Sequence, residues 1–528
     1  MIITEILARN ALMYRDKTAL VERTPSLNSS DSITWEEFYR TSNRFANALT
    51  KKGIHKGNKI VQLMTNCLEW LPIYFGILYT GAWAVPLNFR FESDKILICT
   101  NTAEANVFIF GEEFIERIES IRNKLKSVHL WIFTGPSTSC PDWAIQYETF
   151  IESESGDNPP KVHLDVKDDA ALYFTSGTTG NPKAVLLTHR NLEHACYIEH
   201  AHHGQTHEDI FLCIPPLYHT GAKMHWMGSF LVGGKSILLK GVKPQWIIEA
   251  VSEEKCTIVW LLVPWAHDIL IAIENKEIDL SKFTLSQWRL MHAGAQPVPP
   301  SLIENWKKYF PNQDYDTNYG LTESTGPGCV HLGLENADRI GPIGLPGFDW
   351  EAKIVDKQGA LLFGNESGEL IIRGPGVMKE YYKNPEATAK ALNDGWLRTG
   401  DIARYDKDGF IWLVDRKKDM IIYGGENIFP VEIENFFQKH KKIKDVAVIG
   451  IPDERLGEVP AGIISVKPGC ILCESDIIEF QQELPRYKHL KKIFFGDVPR
   501  NPTGKIEKPK LRRIYAEDKR KDIRTLLR

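Results

Sequence analysis

The sequence has no apolar run long enough to span a bilayer: runs such as Ile258 to Trp265 stop at a proline or a charge, short of the roughly 18 residues a span needs. It has no excess of either charge. Lys and Arg number 64 against 68 Asp and Glu, for a net charge of -4, which excludes the electrostatic footprint of a dedicated nucleic-acid binder and leaves room for local anion sites. Cysteine is scarce. Nine of them, odd in number and irregularly spaced, form no disulfide framework and lead us to expect a reducing compartment, the cytoplasm. Repeats of solenoid period and low-complexity tracts are absent too. We expect no signal peptide at MIITEILARNALMYRDK and no prenylation or peroxisomal signal at Thr525-Leu-Leu-Arg528. What is present is ordinary globular content: 43% hydrophobic and 25% charged residues, enough to build packed cores.

At about 150 residues per domain, the 528 residues correspond to roughly three folding units, or fewer if one is large. Short apolar runs (Lys59-Ile-Val-Gln-Leu, Asn106-Val-Phe-Ile-Phe, His129-Leu-Trp-Ile-Phe) alternate with helix-like stretches such as Trp35 to Leu49, the texture of βαβ units on a mainly parallel sheet. Between Gly341 and Tyr382, glycines at 359, 364, 368 and 374 punctuate short strands, which predicts a small β-rich subdomain. Past Trp412 the charged run Asp415-Arg-Lys-Lys-Asp419 and a glycine pair precede a helix, strand, strand, helix pattern over about the last 110 residues, a normal domain size. The expected architecture is therefore a large N-terminal α/β body with parallel sheets and a β-rich subdomain (residues 1–417), followed by a small, mobile C-terminal α+β lid (418–528).

The densest chemical signal is Tyr173-Phe-Thr-Ser-Gly-Thr-Thr-Gly-Asn-Pro-Lys183, an apolar strand running into a loop of small residues that ends in lysine. Gly177 and Gly180 let backbone N–H groups turn toward an anion. Thr175, Ser176, Thr178 and Thr179 add hydroxyl donors, and Lys183 adds a point charge. Asn181 and Pro182 break the spacing of a P-loop, so the kinase and GTPase readings lose support. Downstream come Gly294-Ala295-Gln296, Asn318-Tyr319-Gly320-Leu-Thr322-Glu323, Trp396-Leu-Arg-Thr-Gly-Asp401, Arg416 with Lys418, Gly424-Gly425-Glu426-Asn-Ile428 and Pro502-Thr-Gly-Lys505.

In this order and at these intervals, the segments resemble the adenylate-forming superfamily: acyl-CoA synthetases, firefly luciferases and peptide-synthetase adenylation domains. The resemblance covers almost the whole chain and implies an AMP-forming acyl-CoA synthetase using ATP, Mg²⁺ and coenzyme A. A carboxylate and ATP would give acyl-AMP and pyrophosphate, and CoA would then give acyl-CoA and AMP. It implies that the 175–183 loop, Gly294 to Gln296, Asn318, Tyr319, Gly320, Asp401 and Arg416 bind ATP and AMP, with Tyr319 on adenine and Asp401 on the ribose hydroxyls. Thr322 and Glu323 would meet phosphate and Mg²⁺, a hard cation that takes oxygen ligands. Lys505 would act as the adenylation lysine, Lys418 as the hinge and Gly424, Gly425 and Glu426 as the wall of a CoA tunnel. His219, in Pro215-Pro-Leu-Tyr-His-Thr-Gly-Ala222, would gate the acyl carboxylate. The acyl pocket would be lined by His219, Ala222, His225, Trp226, Gly294, Gly326, Val330 and His331, sized for a medium-chain, cyclic or aromatic acid. Such an enzyme would act on small molecules, without nucleic acid or membrane span, as a monomer or homodimer. The alternatives are a stand-alone adenylation enzyme that loads a carrier-protein phosphopantetheine, a luciferase-like oxygenase and a catalytically silent nucleotide sensor.

Three positions depart from the family pattern: Ala184 after the loop lysine, Tyr423 before the glycine pair and Ala293 near the adenine strip. A histidine-rich tract, His194, Cys196, His200, His202, His203 and His207, fits no zinc spacing, and Cys470 with Cys473 is a pair without partners.

Overall fold

The computed structural model describes residues 1–175, 182–423, 426–453, 455–501 and 504–516. The apolar runs at 59, 107 and 130 become the strands Lys59–Leu63, Val107–Gly111 and Leu130–Thr134, joined in parallel to Trp83–Pro86, Asp169–Thr175 and Ile145–Gln146. Two antiparallel strands, Lys183–Thr188 and then Glu380–Tyr381, complete this eight-stranded sheet. A second, seven-stranded sheet runs in the order Asp314–Asp316, Leu290–Gly294, Ile258–Leu262, Ile210–Cys213, Lys235–Leu239, Thr18–Thr24, Ser29–Thr34 and is parallel except at its last pair. Strands buried on both faces read as unbroken apolar runs, which is why these were legible.

The helix expected from Trp35 runs Trp35–Lys51. Thr34 and Glu37 cap it reciprocally: the Glu37 N–H donates to Thr34 Oγ1 (3.1 Å) and the Thr34 N–H to Glu37 Oε2 (2.7 Å). Helix His189–His203 starts on the same kind of box, Thr188 with Asn191. It packs beside helix Thr220–Val232, and both lean on strand Gly326–His331. The large aromatics Trp35, Phe38, Phe75, Trp226 and Phe230 fill the main core between sheets and helices.

The β-rich unit is larger than its glycine turns suggested. Glu351–Val355, Gly368–Arg373, Leu392–Asn393, Trp396–Tyr405 and Ile411–Arg416 form one sheet, extending it to Arg416. The ten-residue strand Trp396–Tyr405 is bracketed by turns of its own, Asn393-Asp394-Gly395 before it and Asp406-Lys407-Asp408-Gly409 after it, so the glycine punctuation continues past Tyr382. Glu380–Tyr381, read as part of that unit, instead extends the edge of the eight-stranded sheet beside Lys183–Thr188.

Residues 417–420 follow, tied back by the Lys417 N–H donating to the Gly400 carbonyl and the Asp419 N–H to the Arg416 carbonyl. Beyond them the C-terminal domain forms its own sheet, Glu426–Ile428, Ile421–Tyr423, Gly457–Val466, Ile443–Asp453, with Lys492–Phe495 parallel to Gly457–Val466. Helices Pro430–Phe437, Glu474–Phe480 and Lys508–Ala516 accompany it, and separate apolar clusters form its core. Among the described residues no helix is long and apolar enough to cross a membrane. All nine cysteines are free thiols.

Candidate active site

The strand Asn318–Leu321 pairs antiparallel with Gly326–His331, and successive side chains point to opposite sides. Tyr319 goes one way, donating its hydroxyl to Asp401 Oδ2 at 2.5 Å. Asp401 and Arg416 are register partners on neighbouring strands, and Arg416 Nε donates to Asp401 Oδ1 at 3.0 Å. Within its strand the backbone is irregular just before Asp401, at Gly400, whose φ of +72° suits glycine, and Thr399 Oγ1 accepts the Asp401 N–H at 3.1 Å. Burial first, then the neighbouring Asp401, push the Tyr319 phenol well above its ordinary value, so it remains a neutral donor. Gly320 is required by close approach: a Cβ there would sit 1.7 Å from the Gly326 carbonyl oxygen.

Lys505 reaches this cluster from the C-terminal domain. Its loop is closed by the Asn501 N–H donating to the Lys505 carbonyl and the Lys505 N–H to Asn501 Oδ1, both 2.9 Å. Arg500 anchors that loop. Its guanidinium donates to the Gly504 carbonyl at 2.6 Å, to both Asp445 oxygens at 2.9 and 2.8 Å, and across to Gln296 Oε1 of the N-terminal body. Gly504 lies against Leu262, 3.2 Å from where its Cβ would be. Desolvation, followed by repulsion from Arg416, pulls the Lys505 ammonium down to about 8, with Asp401 and Glu323 acting in the opposite sense. Ala295 in the Gly294–Gln296 strip has φ +70°, a strained value for a residue with a Cβ.

On the phosphate side, Thr175 faces Lys183 in register at the mouth of the glycine-rich loop. The Lys183 ammonium lies 4.6 Å from the centre of the Tyr381 ring, and the Tyr381 hydroxyl donates to Glu323 Oε1 at 2.8 Å. Glu323 and Thr322 form one 3₁₀ turn and are both partly buried. A carboxylate and a hydroxyl beside a lysine are oxygen donors that fit Mg²⁺ against phosphate. The Ala184 carbonyl accepts the Tyr382 N–H at 2.8 Å, so that departure from the family pattern is absorbed in the sheet.

On the third side, His219 caps helix Thr220–Val232, its Nδ1 accepting the Gly221 N–H at 3.0 Å. Burial, then Lys505 and Lys223, drive its imidazole down to about 3, in keeping with an acceptor Nδ1. His225 stands over the Trp260 ring at 4.8 Å, with its Nε2 2.9 Å from both His292 Nε2 and Asn318 Nδ2. Trp226, next along the helix, turns instead into the main core, 5.1 Å from Phe230. Asn318, expected on the nucleotide, points away from Tyr319 and donates to Glu199 Oε1 at 3.2 Å. His331 lies fully buried between Glu199 and Asp316. Although burial pulls its imidazole down, the two carboxylates lift it to about 9. Gly326 and Val330 are buried on the same hairpin, and a Cβ at Gly326 would touch Met224 at 3.2 Å.

Ser176, Gly177, Thr178, Thr179, Gly180, Gly424 and Gly425 lie outside the described residues, as do the side chains of Ala222 and Glu426. Of the remaining residues, the structure gathers Tyr319, Asp401, Arg416, Lys505 and Gln296 on one side and Lys183, Thr322 and Glu323 next to them. Two site residues were not legible beforehand: Arg500, two residues before the Pro502-Thr-Gly-Lys505 motif, and Tyr381, which no local pattern marks. Nor were Glu199, His292 and Asp316, which come from separate segments.

The chain matches the family model of the AMP-binding enzymes over residues 7–382 and that of their C-terminal domain over 432–505. It is 32% identical over 501 residues to a putative acyl-CoA ligase, YdaB, of Bacillus subtilis, covering 93% of this chain and 96% of that protein. It is 31% identical over 488 residues to the long-chain-fatty-acid–CoA ligase FadD13 of Mycobacterium tuberculosis, covering 92% and 93%. Its fold overlays on the anthranilate CoA ligase AuaEII in complex with anthranoyl-AMP with a TM-score of 0.89, at 26% identity over 97% of both chains. The chain belongs to the AMP-binding enzyme family and is an AMP-forming acid–thiol ligase.

Proposed function

We propose that the chain activates a carboxylic acid in two half-reactions at one site, acyl-AMP with pyrophosphate first, then acyl-CoA with AMP. The observation that carries this reading is Asp401, held by Tyr319 and Arg416, with Lys505 brought beside it from the C-terminal domain. Asp401 would accept the ribose hydroxyls, since a carboxylate offers several acceptor positions. Lys505, cationic at neutral pH, would stand between the acid and the α-phosphate and offset the charge that grows there. Lys183 and the loop before it would hold the outer phosphates. Mg²⁺ at Thr322 and Glu323 would screen phosphate charge there.

The domain division at 417/418, the hinge at Lys418 and the CoA tunnel at Gly424, Gly425 and Glu426 belong to the same proposal. It is supported by the short link at 417–420 and by the single loop that carries Arg500 and Lys505 together. A rotation there would withdraw both at once and clear the site for a thiol. For the acid we propose a medium-chain, cyclic or aromatic carboxylate lying past His219 toward His225, Gly294, Gly326, Val330 and His331. Trp226 is left out of that lining because it packs into the core. The relatives above are named as CoA ligases, so the carrier-protein reading is set aside.

The test is acid-dependent exchange of labelled pyrophosphate into ATP, run over acids from acetate through octanoate, benzoate and cyclohexanecarboxylate to palmitate, then repeated with CoA while acyl-CoA is measured by mass spectrometry. Exchange that peaks with medium-sized acids, and acyl-CoA formed from the same acids, is the expected result. Acyl-AMP that persists in the presence of CoA would overturn the second half-reaction.

A further inference from the structure

The histidine tract has no zinc spacing of its own, but the fold supplies its partners from elsewhere. His203 ends the helix His189–His203, His292 lies in strand Leu290–Gly294 and Asp316 ends strand Asp314–Asp316. One ligand atom from each comes within 4.8 Å of the other two, and all three residues are buried.

Their polar contacts, hydrogen bonds at His292 and Asp316 and an ion pair at His203, divide each side chain into a held outer atom and an inward one. The outer nitrogen of His203, Nδ1, lies 3.3 Å from Glu199 Oε2, and that of His292, Nε2, lies 2.9 Å from His225 Nε2. The outer oxygen of Asp316, Oδ1, accepts the Gly333 N–H at 3.0 Å. The inward atoms are His203 Nε2, His292 Nδ1 and Asp316 Oδ2. His292 Nδ1, in a residue only 1% exposed, makes no hydrogen bond of good geometry among the described residues and faces Asp316 Oδ2 at 3.5 Å, which leaves it room for a ligand. Metal-ligating histidines are characteristically fixed in this way, with the far ring nitrogen on a neighbouring polar group. Glu199 and Asp316 are both fully buried, and among the described residues their ion pairs are with histidines only.

We propose that His203, His292 and Asp316 bind one divalent transition-metal ion of the zinc class. Two imidazole nitrogens and one carboxylate oxygen select such an ion over Mg²⁺ or Ca²⁺. A tetrahedral zinc about 2.0–2.2 Å from each donor needs donors roughly 3.3–3.5 Å apart. His292 Nδ1 and Asp316 Oδ2 are 3.5 Å apart, and the 2.6 Å pair His203 Nε2 and Asp316 Oδ2 opens by about 1 Å as the ion enters. His331 Nδ1, 3.2 Å from the same Oδ2, stands beside the fourth position. The ion offsets buried negative charge and ties one helix to two strands directly behind the Gly294–Gln296 strip. The site does not depend on the ligase reading.

Full-length protein without a histidine tag, equilibrated with zinc chloride, freed of loose metal and analysed by mass spectrometry for metals, tests this. The expected result is about one zinc per chain, falling at least tenfold in His292→Gln/Asp316→Asn. Cobalt(II) titration of the unmutated protein is a second readout that needs no variant: saturable visible ligand-field bands, displaced by zinc, are expected. Folded wild-type protein holding under about a tenth of an equivalent, cobalt that gives no such bands, or a double variant that keeps its zinc would each overturn the site.

Discussion

The nucleotide side and the histidine side of the site are marked differently in the sequence. Asp401 meets Arg416 15 residues along the chain, and Lys505 closes a loop on Asn501, 4 residues away. On the histidine side, His225 meets His292 across 67 residues, His203 meets Asp316 across 113 and Asn318 meets Glu199 across 119. The first side is also closed over long range, Tyr319 reaching Asp401 across 82 residues and Arg500 reaching Gln296 across 204, but its residues sit in short motifs, whereas those of the second are scattered polar residues that mean something only once folded. Burial differs as well. The Arg416 side chain is 42% exposed and its partner Asp401 only 6%, while Glu199, Asp316 and His331 are at 0%. Changes on the first side should therefore be felt in catalysis, and changes on the second in stability.

Asp401→Ala is the hardest blow to that contrast. Losing hydrogen bonds of about 1.5–3 kcal/mol each to charged partners should cost roughly 10³-fold in kcat/KM for ATP while leaving KM for the acid nearly unchanged, as steady-state kinetics would show. Asp316→Ala strands a buried imidazolium, and breaking such a pair typically costs about 3–5 kcal/mol. Denaturant melts should register that loss while KM for ATP stays within a few-fold. If Asp316→Ala weakened ATP instead of stability, the two sides would not be separate.

The pH profile sharpens the nucleotide side. Lys505, held down to about 8, is charged at neutral pH and loses its proton as pH rises through that value. Adenylation should fall about tenfold per unit on the alkaline side, and Lys505→Arg, which keeps its charge, should flatten that limb. Of the changes to alanine, Arg500→Ala has the smallest effect. It removes the tie to Gln296 along with the bonds to Gly504 and Asp445, and at about 1.5–3 kcal/mol for a hydrogen bond to a charged group a roughly ten- to hundredfold slower adenylation with unchanged thioester formation is expected in single-turnover assays.

Much of the fold was legible because buried parallel strands are continuous apolar runs and because Thr34 with Glu37 announces a helix start. The β-rich unit extends to Arg416, and the turns at Gly395 and Gly409 that bracket Trp396–Tyr405 carried the signal for that extension. In the site, Tyr319, Asp401, Arg416 and Lys505 were visible as motif residues. The resemblance of the 318–323 segment implies that Asn318 meets the nucleotide, yet alternation along the strand turns it away from Tyr319 and toward Glu199. Trp226 was grouped with His225 on proximity, although one residue turns a helix by about 100°. Nothing local in Glu199, His292 or Asp316 signals that a helix, a register pair on one sheet and the hairpin strand Gly326–His331 bring them together.

The central claim is that one site performs both half-reactions and that Lys505 serves only the first. Lys505→Ala, measured by rapid quench on each half-reaction separately, tests it most directly. Acyl-AMP formation should fall roughly 10²–10³-fold, the usual cost of removing one charge-stabilising group, while acyl-CoA formation from supplied acyl-AMP stays within a few-fold. Equal loss in both half-reactions would contradict the account.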